Sequence, residues 1–164
     1  MWLSRRAALA AVLAGAALLG GCGFAPAYGP GSAGNKLLGQ VLVDAPAGRQ
    51  TYLLTRQLEG RLGRASTPAY ALSVTLENGL EGVGLSATNV TGRVNLTARA
   101  QFTLREIGGD TALVQGTEES FTGYSTAGTP VATSAAARDA ELRLMVILAD
   151  MIVNRLLAAL DELP

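Results

Sequence analysis

The stretch RVNLTARAQFTLREI, residues 93–107, has the most regular pattern in the 164-residue chain. Apolar side chains occupy the even positions from Val94 to Leu104, and polar ones occupy the odd positions from Arg93 to Arg105. Because side chains alternate between the two faces of a β-strand, this pattern predicts a strand with one buried and one solvated face. A sheet built around this strand must be covered by other elements on its apolar side.

Further strands are predicted on both sides of this stretch. The alternating run 70–77 precedes it, and the Gly-, Asn- and Thr-rich residues 78–92 predict a long hairpin loop in which Val83–Leu85 could extend the pairing. A returning strand is predicted at 112–125. Its alternation slips part-way along, which predicts a β-bulge near Gly116.

Two amphipathic helices complete the pattern. Residues 51–64 carry leucines at positions 54, 58 and 62, and residues 134–160 predict a long helix with Ser134 as its N-cap. A short strand at 40–45 precedes the first helix. The order β-α-β-β-β-α predicts an α+β two-layer sandwich, with two helices packed on one face of a four-stranded, mostly antiparallel sheet.

The long helix carries more apolar surface than one sheet can cover. We expect its wide apolar face to contain the residues Leu142, Met145, Val146, Ala149, Ile152, Val153, Leu156 and Leu160. A second apolar group, Leu144, Ile147 and Met151, lies beyond a polar strip. This group needs the first helix, the N-terminal tether or a partner protein to cover it.

The beginning of the chain has the features of an export signal. Arg5 and Arg6 precede the uncharged, Ala-rich residues 7–19, and Leu19–Cys22 fits the lipobox of bacterial prolipoproteins. In the prolipoproteins that this segment resembles, the cysteine thiol is diacylated and the peptide is cut just before it. A plain secretory signal with a chance cysteine is the alternative, and export by the general secretory or the twin-arginine route stays open.

This resemblance implies three segments. We expect a signal peptide at 1–21, a lipidated Gly- and Pro-rich tether at 22–36 and a folded domain at 37–164. Several acyl chains on Cys22 would give a firm membrane anchor. Gly23 stands where an Asp would favour retention at the inner membrane, so the expected address is the periplasmic face of the outer membrane.

Composition excludes several classes of function. The chain has no histidine, which rules out His-based catalytic triads and His-containing zinc sites, and its one cysteine cannot form an intramolecular disulfide. Without Arg5 and Arg6, acidic residues outnumber basic ones by two, which gives no basis for nucleic-acid binding. The adjacent Glu118 and Glu119 would point to opposite faces of a strand. We expect no enzyme activity, cofactor or metal.

The polar face of the predicted strand 93–107 carries the candidate binding residues. Arg93, Arg99 and Arg105 are six positions apart, which places them on one face at intervals of roughly 20 Å. Arginine suits contact with carboxylates or phosphates because its planar fork binds them in a bidentate manner. The alternative is an ordinary solvated sheet face.

Several of these features together resemble one family, the LPS-assembly lipoproteins LptE, in their alphaproteobacterial form. Residues 21–28, GCGFAPAY, are similar to the family's GCGF-x-P-x-Y start, and the order of elements is similar. The C-terminal half adds Gly123–Ser125, Ala135–Glu141 and Leu148–Ile152, followed by Arg155. The loop 126–133 departs from the family because it lacks aromatic residues.

The resemblance implies a non-enzymatic role in the cell envelope. LptE proteins bind the outer-membrane β-barrel LptD, plug its lumen, help it assemble and contact lipopolysaccharide on its way to the cell surface. A different lipoprotein adaptor, such as a pilotin or a transporter auxiliary subunit, is the alternative function.

Overall fold

The computed structural model describes Gly29, residues 32–85 and residues 91–161. The predicted signal peptide 1–21, the predicted lipidation site Cys22 and most of the predicted tether lie outside the described residues. The elements are α1 (Ala33–Leu37), β1 (Val41–Val43), α2 (Arg49–Leu62), β2 (Tyr70–Leu85), β3 (Thr91–Glu106), β4 (Ala112–Ser125) and α3 (Pro130–Asp161).

The four strands form one sheet in the order β1-β2-β3-β4. β1 pairs with β2 in parallel, whereas β2, β3 and β4 pair in antiparallel fashion. The parallel pair follows from the helix α2 between β1 and β2, which returns the chain to the same end of the sheet. The predicted α+β sandwich is confirmed, and the short helix α1, which the sequence did not predict, precedes it.

The β2–β3 hairpin is longer than expected. Pairing continues from Tyr70↔Glu106 to Leu85↔Thr91, so most of the predicted loop 78–92 is strand. Local composition is overridden because β3 offers a continuous pairing edge to the Gly-rich half of β2. Gly79 suits this position, since a Cβ there would approach Thr97 Oγ1 to 2.6 Å.

The core lies between the inner face of the sheet and the two long helices. α2 contributes the leucines expected from its spacing, and β3 contributes the even-numbered residues of its alternation. The fully buried large side chains are Leu37, Val41, Leu54, Leu58, Leu72, Leu104, Leu144, Met145, Leu148, Ile152 and Leu156. All three helices thus bury side chains in one core.

The irregularity in β4 lies at Leu113 and not near Gly116, where the sequence predicts a bulge. Leu104 pairs with Val114, but Arg105 pairs with Ala112, so the register shifts between them. Gly116 instead lies opposite Phe102, and a Cβ at 116 would approach the Phe102 ring to 2.8 Å. The glycine is needed for the aromatic ring above it.

The helix α3 begins four residues before the predicted N-cap. Pro130 is its first residue, a position that proline favours because its missing N–H needs no partner there. The Ala132 N–H donates to Thr129 Oγ1 at 3.3 Å, as in an N-cap. The Ser134 hydroxyl donates to the Pro130 carbonyl at 2.9 Å inside the helix, so the Ser134 N-cap prediction is wrong.

The buried stripe of α3 is rotated from the predicted one. Leu144, assigned to the second apolar group, is fully buried, whereas Leu142 is 42% exposed and Ile147 is 36% exposed. Met151 is half-buried. Cover by both α2 and the sheet widens the buried stripe to include Leu144 and Leu148. Among the described helices, none has a stretch long and apolar enough to cross a membrane.

Ion pairs join α2 to α3 at two levels. Arg49 Nη2 lies 3.1 Å from Glu141 Oε2, and Arg61 forms a close ion pair with Asp150. The hydrogen bond from Arg61, with its charge, outweighs desolvation and lowers the pKa of Asp150 below its usual value. The ionised carboxylate is therefore favoured in the folded state.

We expect Gly116→Ala to destabilise the domain by about 1–3 kcal/mol, because the new methyl group overpacks the ring of Phe102. In a Phe102→Leu background the ring is absent and the same change should cost measurably less. Urea unfolding of the four variants gives the coupling free energy. Phe102→Ala alone should cost roughly 3–5 kcal/mol by leaving a cavity.

Gly60→Ala is the matched control for this cycle. Gly60 lies in α2, is exposed, and has no atom within 4 Å of an added Cβ. The change should stabilise the helix by about 0.5–1 kcal/mol. Equal effects of alanine at positions 60 and 116, or zero coupling with Phe102, would contradict this packing.

We expect Asp150→Asn to lower the melting temperature most at neutral pH. A carboxyl whose folded-state pKa is lowered stabilises the fold above its unfolded pKa of about 3.9, and this contribution is lost as pH falls through the folded value. Because the pair is half-exposed, its contribution should stay below about 1 kcal/mol. The difference in melting temperature between the two proteins should therefore begin to shrink near pH 4 and vanish below the folded-state pKa.

Asp139→Asn serves as the control, since its partner Arg143 lies on the same helix and the pair does not join α2 to α3. A difference between wild type and Asp150→Asn that grows on acidification would contradict the assigned role of Asp150.

Candidate interaction surface on the sheet

The sheet has a polar face directed away from the helices, which we call the outer face. It carries the odd-numbered side chains of β3 and their partners on β2 and β4. The structure places Arg93, Arg99 and Arg105 together on this face, as their spacing predicts. Their surroundings nevertheless differ, and this divides the row into a neutral centre and two cationic ends.

The central arginine is neutralised. Arg99 forms a close ion pair with Glu119 of β4, directly opposite it. On its other side Arg99 is paired in register with Glu77 of β2. Flanked by two carboxylates, Arg99 contributes to cross-strand pairing rather than to a positive surface.

The two arginines at the ends of the row lack such partners. Among residues 32–85 and 91–161, neither Arg93 nor Arg105 forms an ion pair. The Arg93 guanidinium covers Gly123, where an added Cβ would lie 2.6 Å from Nη2. Arg105 is half-buried and is paired in register with Ala71 and Ala112. Of the three arginines in the row, these two are not neutralised by any carboxylate of the described residues and could meet an anionic ligand.

An aromatic side chain that the sequence analysis did not single out lies between them. Phe121 is 62% exposed and is paired with Thr97, whose other neighbour is Gly79. Together with Glu77 and Arg99, these residues line a shallow depression on the outer face. Phe121 was missed because its position on the outward side of β4 depends on the register shift at Leu113.

β4 is one of the two edge strands of the sheet, and β1 is the other. The Thr126 N–H donates to the Gly92 carbonyl, so residue 126 belongs to a hydrogen-bonded pair with β3. Such pairs alternate along an antiparallel ladder, so the even-numbered residues of β4 bond to β3. The backbone N–H and C=O groups of the odd-numbered residues therefore point away from β3. Arg143 of α3 donates from Nη2 to the Gly123 carbonyl at 3.3 Å, which satisfies one of these outward groups.

The inner face continues beyond the helices at the hairpin end. There Leu80 is 69% exposed, and it lines a groove with Gln50, Tyr124, Arg138 and Glu141. The groove lies beside the N-terminal ends of both α2 and α3, since Gln50 and Arg138 belong to those helices.

No feature of a catalytic or metal centre emerges in the described part of the chain. No group of three acidic, cysteine or histidine side chains is placed to hold a metal ion there. Glu118 and Glu119 point to opposite faces of β4, as their adjacency predicts. The described elements define a small α+β domain of two layers, one of strands and one of helices.

Comparison with known proteins places it more narrowly. The sequence model of the family described as LptE, lipopolysaccharide-assembly, matches residues 38–156. The chain therefore belongs to the LptE family of lipopolysaccharide-assembly proteins, a family that is not enzymatic. No curated protein sequence matches the chain.

Solved structures share the fold. A lipoprotein from Caulobacter crescentus superposes with a TM-score of 0.67 at 26% identity, covering 78% of this chain and 94% of its own. Rare lipoprotein B from Shewanella oneidensis gives 0.53 at 17% identity, with coverage of 70% and 89%. Lipoprotein B from Nitrosomonas europaea gives 0.57 at 13% identity, with coverage of 75% and 84%.

Proposed function

We propose that this chain is an outer-membrane lipoprotein that partners the LptD β-barrel, as a plug and assembly factor for transport of lipopolysaccharide to the cell surface. The observation that carries the proposal is the family match over residues 38–156, which spans nearly all of the folded domain. The proposed anchor is Cys22, held by its acyl chains in the periplasmic leaflet of the outer membrane.

The outer face supports the barrel-plug role. Most of the side chains that β3 contributes to it are polar, which suits a water-filled lumen, and its central ion pair of Arg99 with Glu119 leaves few uncompensated charges. The exposed Phe121 offers an aromatic contact of the kind that is enriched in the cores of protein interfaces. A surface with a neutral centre and cationic ends suits an extended partner better than a compact ligand.

Contact with lipopolysaccharide is assigned to Arg93 and Arg105. They are twelve residues apart on one strand, a distance of roughly 40 Å at about 3.3 Å per residue. One phosphate cannot reach both, so each would meet a separate anionic group on the glycolipid or on the barrel wall. Arginine can form bidentate hydrogen bonds to phosphate. Because these contacts join exposed charges, added salt would weaken them.

Affinity purification of the tagged full-length chain from native membranes, followed by identification of its partners, tests the proposal directly. Recovery of the LptD barrel is the expected result. Recovery of a secretin or of an inner-membrane transporter without the barrel would instead identify the chain as another lipoprotein adaptor.

Cys22→Ala should abolish acylation and leave the chain uncleaved or outside the outer-membrane fraction. The measurement is incorporation of labelled palmitate together with membrane fractionation. A Cys22→Ala chain that still incorporates palmitate and fractionates with the outer membrane would show that the lipobox assignment is wrong.

Arg93→Gln combined with Arg105→Gln should weaken binding to LptD or lipopolysaccharide while the fold stays intact. An exposed ionic contact is worth about 0.2–1 kcal/mol, so losing two predicts roughly 2- to 30-fold weaker binding. The assay is a pull-down of the barrel and lipopolysaccharide binding at low and high salt, where the wild-type advantage should shrink.

Arg99→Gln is the matched control, because it changes the same residue type on the same face but removes an arginine already paired with Glu119. It should bind nearly as well as wild type. Normal binding by the folded Arg93 and Arg105 double variant would return the outer face to an ordinary solvated surface.

A further inference from the structure

One end of the outer face carries a group of exposed apolar side chains. Leu42 of β1 is 48% exposed, and it is paired in register with Ala71, which is paired with Arg105. Ile107, which follows β3, is 49% exposed and donates its N–H to the Ala69 carbonyl at 2.9 Å. We call these five residues, Leu42, Ala69, Ala71, Arg105 and Ile107, the anchor-end patch.

This patch lies at the end of the sheet where the chain enters the domain. The Ala69 N–H donates to the Gln40 carbonyl at 2.9 Å, and the Gly39 N–H donates to the Leu62 carbonyl at 2.7 Å. Leu38, between the buried Leu37 and Gly39, is 42% exposed. The segment that follows α1 is thereby fixed beside the patch.

We propose that the anchor-end patch docks on the phospholipid surface of the membrane that holds the chain. The proposal rests on lipidation of Cys22, which belongs to the proposed function above. Ten peptide steps separate Cys22 from Ser32, so the tether can span at most about 35 Å. The acyl chains therefore keep this end of the domain close to the bilayer.

The opposite end of the outer face lies far from the anchor-end patch. Val83, also apolar and 41% exposed on the outer face, is twelve residues beyond Ala71 on β2, a distance of roughly 40 Å. Tethering raises the effective concentration of lipid only for the end that can reach it. Proximity thus selects the bilayer as the occupant of the patch and not of the distal residues.

The chemistry of the patch also fits a bilayer surface. The leucine and isoleucine side chains of the patch can enter the boundary between headgroups and acyl chains. Other charges in the neighbouring segments are mixed: Lys36 is basic, Glu106 and Asp110 are acidic, and Arg64 is paired with Glu59 at 3.0 Å. Binding therefore depends on apolar insertion more than on net charge.

The test uses the full-length, lipidated chain reconstituted into vesicles of phosphatidylethanolamine and phosphatidylglycerol. Since acylation blocks Cys22, the only native thiol, Ile107→Cys introduces a single site for a nitrobenzoxadiazole label. Bromine-labelled lipids quench a probe that touches acyl chains. We expect strong quenching at position 107 and little at Val83→Cys, the control on the same face.

A further variant, Leu42→Ser, should reduce quenching at position 107 by weakening insertion of the patch. Absence of quenching at 107, or equal quenching at 107 and 83, overturns the proposal. A probe at 107 that responds only after the LptD barrel is added overturns lipid docking in favour of a protein contact.

Whether Cys22 is acylated is measured separately. Flotation of the vesicles and the mass of the N-terminal peptide report whether Cys22 is acylated. A chain that neither floats nor carries acyl groups contradicts the proposed function, whereas an acylated, floating chain with no quenching at 107 contradicts the docking proposal alone.

Discussion

The fold depends on the need to bury one face of β3. Six alternating side chains of this strand, from Val94 to Leu104, point to the helices, and β3 is paired along most of its length on both sides. The described domain has neither a disulfide nor a metal cluster to hold it, so packing on that face must supply its stability. Helices α2 and α3 cover the inner face and leave the outer face uncovered.

Sequence reasoning succeeded where a pattern is local and repeated. The alternation of β3 and the leucine spacing of α2 identified both elements and the faces they bury, and the order of elements identified the layers. It failed where one residue depends on a distant one. Gly116 looked like a bulge because the sequence does not reveal the Phe102 ring packed against it. The start of α3 was missed for a different, local reason: Pro130 directly after Thr129 marks Thr129 as the N-cap, and Ser134 was chosen instead.

The candidate surface shows the same division. The common face of the three arginines follows from their even spacing, and the structure places them there. Their inequality does not follow from it, because the pairing of Arg99 with Glu119 is fixed by the cross-strand register, which the irregularity at Leu113 shifts. A sequence without a register cannot distinguish a paired arginine from a free one. The same register brings Phe121 to the outward side of β4.

The hydrogen bond from Arg143 to the Gly123 carbonyl bears on whether the domain self-associates through its edge strand β4. An exposed edge strand is a template for intermolecular β-pairing and hence for aggregation. In β4 the run open to such pairing is interrupted by the irregularity at Leu113 and occupied by Arg143 at Gly123. The charged Glu119 lies in between, next to the edge. These features of β4 disfavour self-association of the domain through that edge.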